Sequence, residues 1–190
     1  VYAESKGIEV LSLKGENAFL NTITGTAELA CGLMISLLRL IPYAVEDVKK
    51  GNWSRESFRG KSLYGKTLGI VGLGRLGKMM ARYGKAFGMN VLFADPHVPA
   101  GNFPEYEKVD FERLISSSDI VSIHVHLDSA TENMFDTLVF KKMKKTSYLI
   151  NTSRGKIVNE QDLLAALEEN GIAGYATDVL SGELSFRSHI

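Results

Sequence analysis

The segment LGIVGLGRLG constrains the fold more than any other part of this chain of 190 residues. Gly72, Gly74 and Gly77 form the pattern G-x-G-x-x-G between an apolar, strand-like run and a helical pattern. In that context the first glycine permits a tight turn, the second lets a diphosphate approach the backbone, and the third lets helix and strand pack closely. The amides of Arg75 and Leu76 would then face the phosphates at the helix N-terminus.

Apolar, strand-like runs alternate with amphipathic segments from Lys66 onward. Short runs that are apolar on both faces are typical of parallel strands buried between helices. The alternation predicts an α/β fold of the Rossmann type, which is a doubly wound parallel sheet with right-handed crossovers. The predicted strands are 67–72, 90–95, 119–125, 147–151 and 172–178, and the predicted helices are 76–87, 110–116, 136–142 and 160–169.

A different unit precedes the alternating part. Residues 26–43 predict one long, very apolar N-terminal helix, and the strand-like stretch 7–13 has no local partner. We therefore assign residues 1–20 to the remnant of another lobe and residues 21–190 to the nucleotide-binding domain. A helix this apolar is unfavourable in water, so we expect it to pack on a second subunit in a homodimer.

Charge and composition exclude several classes of partner. Lys and Arg number 22, as do Asp and Glu, so the chain has no excess positive charge to hold a nucleic acid or an anionic membrane. The longest apolar run, 29–41, is too short to span a bilayer and contains Arg39, and no secretory signal pattern opens the chain. We expect a cytoplasmic protein. The single cysteine, Cys31, excludes a disulfide within the chain and is interpreted as a core residue.

Polar residues follow the predicted strands at their carboxyl ends, the edge where open α/β sheets bind ligands. Asp95 ends the strand after the glycine motif, where a carboxylate can accept both hydroxyls of an adenosine ribose. A carboxylate there repels a 2′-phosphate, and no Arg or Lys follows in PHVPAGN, which favours NAD over NADP. The other polar positions expected at this edge are His124, Asn151, Thr152, Ser153, Arg154 and Asp178.

The stretch YLINTSRGKIV ends an apolar run with a small polar segment that contains Arg154. A planar guanidinium in a crevice can bind a carboxylate through two hydrogen bonds and polarise an adjacent carbonyl during hydride transfer. A solvated loop is the simpler alternative. Glu183, five residues after Asp178, either braces the arginine as a salt bridge or orients an acid–base histidine and raises its pKa.

His124 and His126 share one face of a predicted strand and, with Asp128, resemble a metal-binding pair. A metal site needs a third ligand at suitable spacing, so we expect no metal and place His124 beside the adenosine or the nicotinamide instead. His97 and His189 have no such surroundings and are expected at the surface.

The motifs GKTLGIVGLGRLG, VLFADP, SDIVSIHV and LINTSRGKIVNEQDLLAALEENGIAGYATDV, followed by Glu183, resemble the D-2-hydroxyacid dehydrogenases of the phosphoglycerate and glycerate dehydrogenase kind. The segment NTITGTAELACGLMISLLR resembles the long helix that joins the two lobes in that family. The resemblance implies an NAD-dependent oxidoreductase that moves a hydride between nicotinamide and C2 of a small 2-hydroxy or 2-oxo acid. The chain departs from the family pattern at His126 and Leu184, where proline is usual in the family.

The resemblance also implies a role for each matching residue. Arg154 binds the carboxylate and the 2-oxo or 2-hydroxy group of the substrate, and Glu183 is the partner of a catalytic histidine. His189 does not match the position of that histidine, so we expect the 190-residue chain to bind NAD(H) without turnover. The implied cofactor contacts are Gly72, Gly74, Arg75, Leu76 and Gly77 at the pyrophosphate, Asp95 at the adenosine ribose, His124 and Val125 at the adenosine side, and Thr152, Ser153 and Asp178 at the nicotinamide.

Two alternatives stay open. An NAD(H)-sensing regulatory protein, like the C-terminal-binding-protein corepressors, uses the same scaffold, and activity of the full-length protein on a panel of 2-oxo acids would separate the two. A methyltransferase could use the glycine motif and Asp95 to hold S-adenosylmethionine. Only a bound ligand raises the apparent melting temperature, so a comparison of NADH with S-adenosylmethionine would decide the second question.

Overall fold

The computed structural model describes residues 2–13 and 15–182, so the predictions for Glu183 and His189 lie outside the described residues. Short 3₁₀ helices occur at Glu4–Lys6, Arg55–Phe58 and Gly155–Ile157. The α-helices are α1 (Asn17–Leu20), α2 (Gly25–Leu38), α3 (Ile41–Lys49), α4 (Arg75–Ala86), α5 (Phe111–Ser117), α6 (Thr137–Lys142) and α7 (Glu160–Glu168). The strands are β1 (Thr67–Val71), β2 (Asn90–Ala94), β3 (Glu107–Lys108), β4 (Ile120–Ile123), β5 (Tyr148–Asn151) and β6 (Gly174–Thr177).

The described strands form one parallel sheet in the order β3-β2-β1-β4-β5-β6. In the register of the sheet, Val71 at the end of β1 pairs with Ala94 of β2 on one side and with Ile123 of β4 on the other. The strand order therefore reverses at β1 and β4, and a crevice opens outside their carboxyl ends. The predicted Rossmann-type fold is confirmed, and each of the five predicted strands is present.

Two apolar cores cover the two faces of the sheet, which is why its central strands are apolar on both sides. On one face α2 and α4 pack on the sheet through Met34, Leu38 and Met80. On the other face α5, α6 and α7 contribute Leu114, Phe140 and Leu163. Full burial of one such side chain stabilises the fold by about 2 kcal/mol.

The predicted helix 26–43 is wrong at its C-terminal end, because α2 stops at Leu38 and α3 begins three residues later. Leu40 between them has a left-handed backbone with φ of 55°. Pro42 explains the break, since a proline has no N–H to donate and its ring clashes with the carbonyl four residues earlier. That carbonyl, of Leu38, accepts a hydrogen bond from the amide of Lys61 at 2.8 Å instead.

Two further differences concern short segments. Residues 7–13 form no strand, and the edge strand β3 was not predicted. A strand of two residues has no periodicity from which it could be recognised. The predicted start of α7 is confirmed, since the side chain of Asn159 accepts hydrogen bonds from the amides of Gln161 and Asp162. The helix ends at Glu168, one residue before the predicted end, and Asn170 follows in the left-handed conformation with φ of 54°.

The stretch Ala18–Leu38 is long and apolar enough, by length and composition alone, to cross a membrane. In this fold it is divided between α1 and α2, and the buried side chains Ala30, Met34 and Leu38 pack on the sheet. One face of α2 therefore belongs to the apolar core of the domain. Cys31 is half-buried and packs against the same core, as predicted.

Candidate functional site

A cavity of about 600 Å³ lies outside the carboxyl ends of β1, β2 and β4. A concave site of this size is typical of small-molecule and cofactor sites. The structure brings five of the predicted site residues to its wall, namely Gly72, Gly74, Asp95, His124 and Val125.

Each of the three positions in the turn holds a glycine for a different structural reason. Gly72 has φ of 90°, and a Cβ there would lie 2.8 Å from the carbonyl oxygen of His124. A Cβ on Gly77 would collide with the carbonyl oxygen of Gly72. Gly74 has an ordinary φ of −72°, is exposed, and a Cβ there would meet no atom within 4 Å. The fold therefore requires two of the glycines, whereas the third keeps open the space in front of the helix that follows.

Helix α4 begins directly after Gly74 and has neither a side-chain cap nor an acidic residue in its first turn. The first amides of a helix have no partner within the helix and carry partial positive charge. The amides of Arg75 and Leu76 thus remain available for an anion, as the sequence predicts. The side chain of Arg75 does something that was not predicted: its Nη1 donates to the carbonyls of Leu20 at 2.7 Å and Ile23 at 2.5 Å.

Asp95 is held in place by backbone amides. Its Oδ2 accepts a hydrogen bond from the amide of Leu73 in the glycine turn, and its Oδ1 accepts one from the amide of His97, both at 2.8 Å. A carboxylate oxygen can accept more than one hydrogen bond. The carboxylate is therefore fixed at the edge of the cavity and keeps acceptor capacity for hydroxyl groups.

His124 is packed between β4 and the cavity. Its Nε2 lies 2.9 Å from Oγ of Ser122, whereas its Nδ1 is buried without a hydrogen-bond partner among the described residues. Burial lowers the pKa of His124 to about 4, because desolvation disfavours the charged imidazolium. The side chain is therefore a neutral donor or acceptor near pH 7.

Thr152, directly after β5, has a second buried polar atom without a partner in the described part of the chain, its Oγ1. An unsatisfied buried polar atom costs free energy and calls for an explanation. Since both orphan atoms belong to residues at the carboxyl edge of neighbouring strands, a ligand in the crevice is the explanation that we favour.

The segment 151–154 is shaped by its own hydrogen bonds. The buried side chain of Asn151 donates to the carbonyl of Arg154 at 3.0 Å and accepts from the amide of Ser153 at 3.0 Å, and Oγ of Ser153 donates to the carbonyl of Ile123. Arg154 itself is exposed, and its Nη1 donates to the carbonyl of its neighbour Ser153. Among the described residues its guanidinium is in no ion pair.

The end of β6 lies next to this segment. Oγ1 of Thr177 donates to the carbonyl of Asn151 at 2.8 Å, which places the exposed Asp178 at the same edge of the sheet as Arg154. These residues lie outside the wall of the cavity that Asp95 lines. The structure therefore divides the predicted site residues into two groups. One lies at β1, β2 and β4 and is called the adenosine end after its predicted role, and the other lies at β5 and β6.

Sequence reasoning missed one wall of the cavity, which β3 and the start of α5 provide through Lys108, Val109, Asp110 and Phe111. The ammonium group of Lys108 donates to the carbonyl of Val98 at 2.5 Å. Lys108 lies beyond the segment PHVPAGN, whose lack of Arg and Lys favoured NAD over NADP. The helix cap Asp110, which accepts from the amide of Arg113, was the local signal nearest to this wall.

The structure also shows the positions of His126 and Asp128, which resembled a metal-binding pattern with His124 in the sequence. His126 is exposed, and Oγ1 of Thr131 donates to its carbonyl. The carboxylate of Asp128 accepts from the amides of Ala130 and Thr131, so it fixes a turn. His97 is exposed, as predicted.

Comparison with protein families gives a match over residues 31–189, to the family described as D-isomer specific 2-hydroxyacid dehydrogenase, NAD binding domain. The D-3-phosphoglycerate dehydrogenase of Methanocaldococcus jannaschii is 36% identical over 95% of this chain and 34% of its own length. The hydroxypyruvate reductase of Thermotoga maritima is 35% identical over 95% of this chain and 57% of its own length. The chain thus spans between a third and about three fifths of these relatives.

Solved structures agree with the sequence comparison. D-lactate dehydrogenase with NAD⁺ from Lactobacillus jensenii superposes with a TM-score of 0.77 at 33% identity, over 85% of this chain and 49% of that one. The TT0316 protein from Thermus thermophilus gives a TM-score of 0.84 at 29% identity, over 95% of this chain and 56% of that one. Each superposition therefore covers most of this chain and about half of its neighbour.

Proposed function

Since the chain belongs to the D-isomer specific 2-hydroxyacid dehydrogenases through their NAD-binding domain, we propose that it serves hydride transfer between NAD and C2 of a small 2-hydroxy or 2-oxo acid. The observation that carries the proposal is the open space at Gly74 before the uncapped helix α4, with the carboxylate of Asp95 fixed beside it. A diphosphate and a ribose need these two features side by side.

The adenosine half of the cofactor is assigned to the cavity. The amides of Arg75 and Leu76 would donate to the diphosphate, Gly74 would give it access, and Gly72 and Gly77 would keep the turn in shape. Asp95 would accept from the ribose hydroxyls, with His124 and Val125 on the opposite wall. The residues present fit NAD, because Gly74 leaves open space, the first amides of α4 have no cap, and the carboxylate of Asp95 keeps acceptor capacity.

The nicotinamide half is assigned to the β5–β6 end, with Thr152, Ser153 and Asp178 along it. The bound nicotinamide supplies the hydride acceptor or donor. Arg154 is the proposed catalytic cation, because an exposed guanidinium can bind a carboxylate bidentately and polarise the adjacent carbonyl. Glu183 is proposed to orient an acid–base histidine of the whole protein.

The substrate is proposed to be phosphoglycerate- or glycerate-like, on the strength of relatives named phosphoglycerate dehydrogenase and hydroxypyruvate reductase. The test is a panel of D-3-phosphoglycerate, D-glycerate and D-lactate with NAD⁺ and the full-length protein. Oxidation of one of them, lost when Arg154→Gln is introduced, supports the proposal. NADH binding without activity on any 2-hydroxy or 2-oxo acid would favour the sensing protein instead. The cytoplasmic location stays a prediction.

We also propose a homodimer, because α3 carries a row of exposed apolar side chains. Ile41, Tyr43, Val45 and Val48 are between 43% and 61% exposed. Ile41, Val45 and Val48 follow the spacing i, i+4, i+7 and therefore share one face of α3. An exposed apolar face of this kind is typical of subunit interfaces. Sedimentation is expected to give a dimer for the parent and for Leu164→Glu, an equally exposed leucine on α7, and a monomer for Val48→Glu. A monomeric parent would contradict this proposal.

A further inference from the structure

Arg75 connects two parts of the molecule that are far apart in sequence. Its backbone is the first residue of α4, at the turn proposed to hold the diphosphate. Its Nη1 donates to the carbonyls of Leu20 and Ile23, at 2.7 and 2.5 Å, 55 and 52 residues earlier in the chain. The side chain of Arg75 thus joins the glycine turn to the segment that leads into α2.

The segment it holds is a turn whose other hydrogen bonds, in the described part of the chain, are local. Oγ1 of Thr22 donates to the carbonyl of Phe19 at 2.7 Å, and Oγ1 of Thr24 donates to the carboxylate of Glu28 at 2.5 Å. The amide of Thr22 donates to the carbonyl of Phe19 at 2.9 Å, and that of Ile23 to the carbonyl of Leu20 at 3.1 Å. The carbonyl of Leu20 therefore accepts from both the turn and the guanidinium. Phe19 and Ile23 are exposed, so little apolar packing fixes the turn.

The charge of Arg75 has no carboxylate opposite it. Among the described residues Arg75 takes part in no ion pair, and its guanidinium donates to two neutral carbonyls. A half-buried guanidinium is a permanent cation and favours a nearby anion. An anion bound at the backbone amide of Arg75 would fix the backbone of this residue. Its side chain, which holds the turn, would then be fixed as well.

We infer that Arg75 is a positioning residue that couples binding of the dinucleotide's diphosphate at the glycine turn to the order of residues 20–24. The inference rests on the proposed function, since it needs NAD at that turn. The turn 20–24 connects residues 2–13, assigned to another lobe, with α2. The bound cofactor thereby stiffens the connection between the lobes. By linkage, the factor by which NADH stabilises the turn in its ordered, hydrogen-bonded form equals the factor by which that ordered form strengthens NADH binding.

The experiment is hydrogen exchange of the peptide 19–25, with and without saturating NADH, in the parent, Arg75→Gln, Arg75→Lys and Lys78→Gln. Lys78 is the matched control, because it lies on the same helix, is exposed, and its ammonium sits over the ring of Phe103 at 4.7 Å. NADH is expected to slow exchange of this peptide in the parent and in Lys78→Gln by about 5-fold or more, the lower end of typical couplings. Adenosine, which has no phosphate, is expected to leave it unchanged.

In Arg75→Gln we expect faster exchange without ligand and no slowing by NADH, although NADH still binds with an affinity weakened by a similar factor. Arg75→Lys keeps the charge and is expected to restore part of the slowing. Equal slowing by NADH in the parent and in Arg75→Gln would overturn the inference while leaving the proposed function intact. Failure of NADH to raise the melting temperature of the parent would overturn both. Melting temperatures of all four proteins without ligand check that each is folded.

Discussion

The two ends of the carboxyl edge differ in how far their polar groups are fixed before a ligand arrives. At the adenosine end both oxygens of Asp95 accept hydrogen bonds from backbone amides, and the glycine turn fits against β4. At the β5–β6 end the guanidinium of Arg154 is exposed and bonded only to its neighbour's carbonyl in the described residues.

The difference indicates that one end is fixed by contacts within this chain, whereas the other depends on groups outside it. At the adenosine end the carboxylate of Asp95 is fixed by amides of the loops that directly follow β1 and β2, so this end is preorganised, which lowers the cost of binding. The proposed substrate cation has no such support and would gain its partner only from substrate, cofactor or another part of the protein. The chain should therefore hold a nucleotide well and tolerate changes at Arg154 without loss of folding.

The largest expected effect separates folding from ligand access within the glycine turn. Gly77→Ala places a Cβ against the carbonyl of Gly72 and is expected to cost about 3 kcal/mol of unfolding free energy, as overpacking does. Gly74→Ala meets no atom and should leave the urea midpoint unchanged while weakening NADH binding about 10-fold or more, because the methyl group occupies the diphosphate's approach. Unchanged NADH affinity in Gly74→Ala would place the diphosphate elsewhere.

The second effect tests the fixed carboxylate. Asp95→Asn removes the charge that accepts from Leu73, His97 and the ribose, and it should weaken NADH binding by roughly 10- to 100-fold, the value of hydrogen bonds to a charged group. NADPH should lose less, because a repulsive charge beside its 2′-phosphate disappears and Lys108 lines the same cavity. Asp128→Asn, which changes another carboxylate that lines the cavity, is the control in calorimetric titrations. An equal loss in both variants would remove the special role of Asp95.

The third effect is a dependence of folding stability on pH, caused by His124. The pKa of His124 falls from 6.5 to about 4 on folding, so between these values the unfolded chain binds more protons than the folded one. Stability should therefore fall as the pH drops from 6.5 towards 4, by up to about 2 kcal/mol between pH 7 and pH 5. Urea midpoints at the two pH values should move closer together in His124→Gln than in the parent. The exposed His126→Gln is the control variant, and identical behaviour of all three proteins would contradict the assignment.

The smallest effect is expected at the open end. Arg154→Gln should leave the melting temperature of the chain unchanged and should alter its NADH affinity by no more than about 2-fold, since exposed groups with local bonds contribute little. A large loss of stability would show that Arg154 has a structural role that its contacts do not indicate.

The parts of the fold that sequence predicted correctly are those with a strong local pattern. The strands around Gly72 and Asn151 are apolar on both faces, and the cap at Asn159 precedes a clear helical pattern. Pro42 was also readable and should have divided the helix 26–43. These features rest on neighbours in the chain, which a single sequence displays.

The parts that sequence could not predict are contacts between distant segments. Nothing near Arg75 indicates that its guanidinium reaches Leu20, and nothing near Lys108 places it in the cavity of Asp95. Both depend on how elements pack. The strand that carries Lys108 has two residues, too few for a periodic signal.

The central claim is that this chain holds NAD at the carboxyl edge beside Gly74 and Asp95. Calorimetric titration of NADH into the parent and into Gly74→Ala, with S-adenosylmethionine as a second ligand, tests it most directly. The account predicts one NADH per chain in the parent, at least about 10-fold weaker binding in Gly74→Ala for the steric reason given above, and no heat from S-adenosylmethionine. Absence of NADH binding by the folded parent, or equal binding in both proteins, would contradict it.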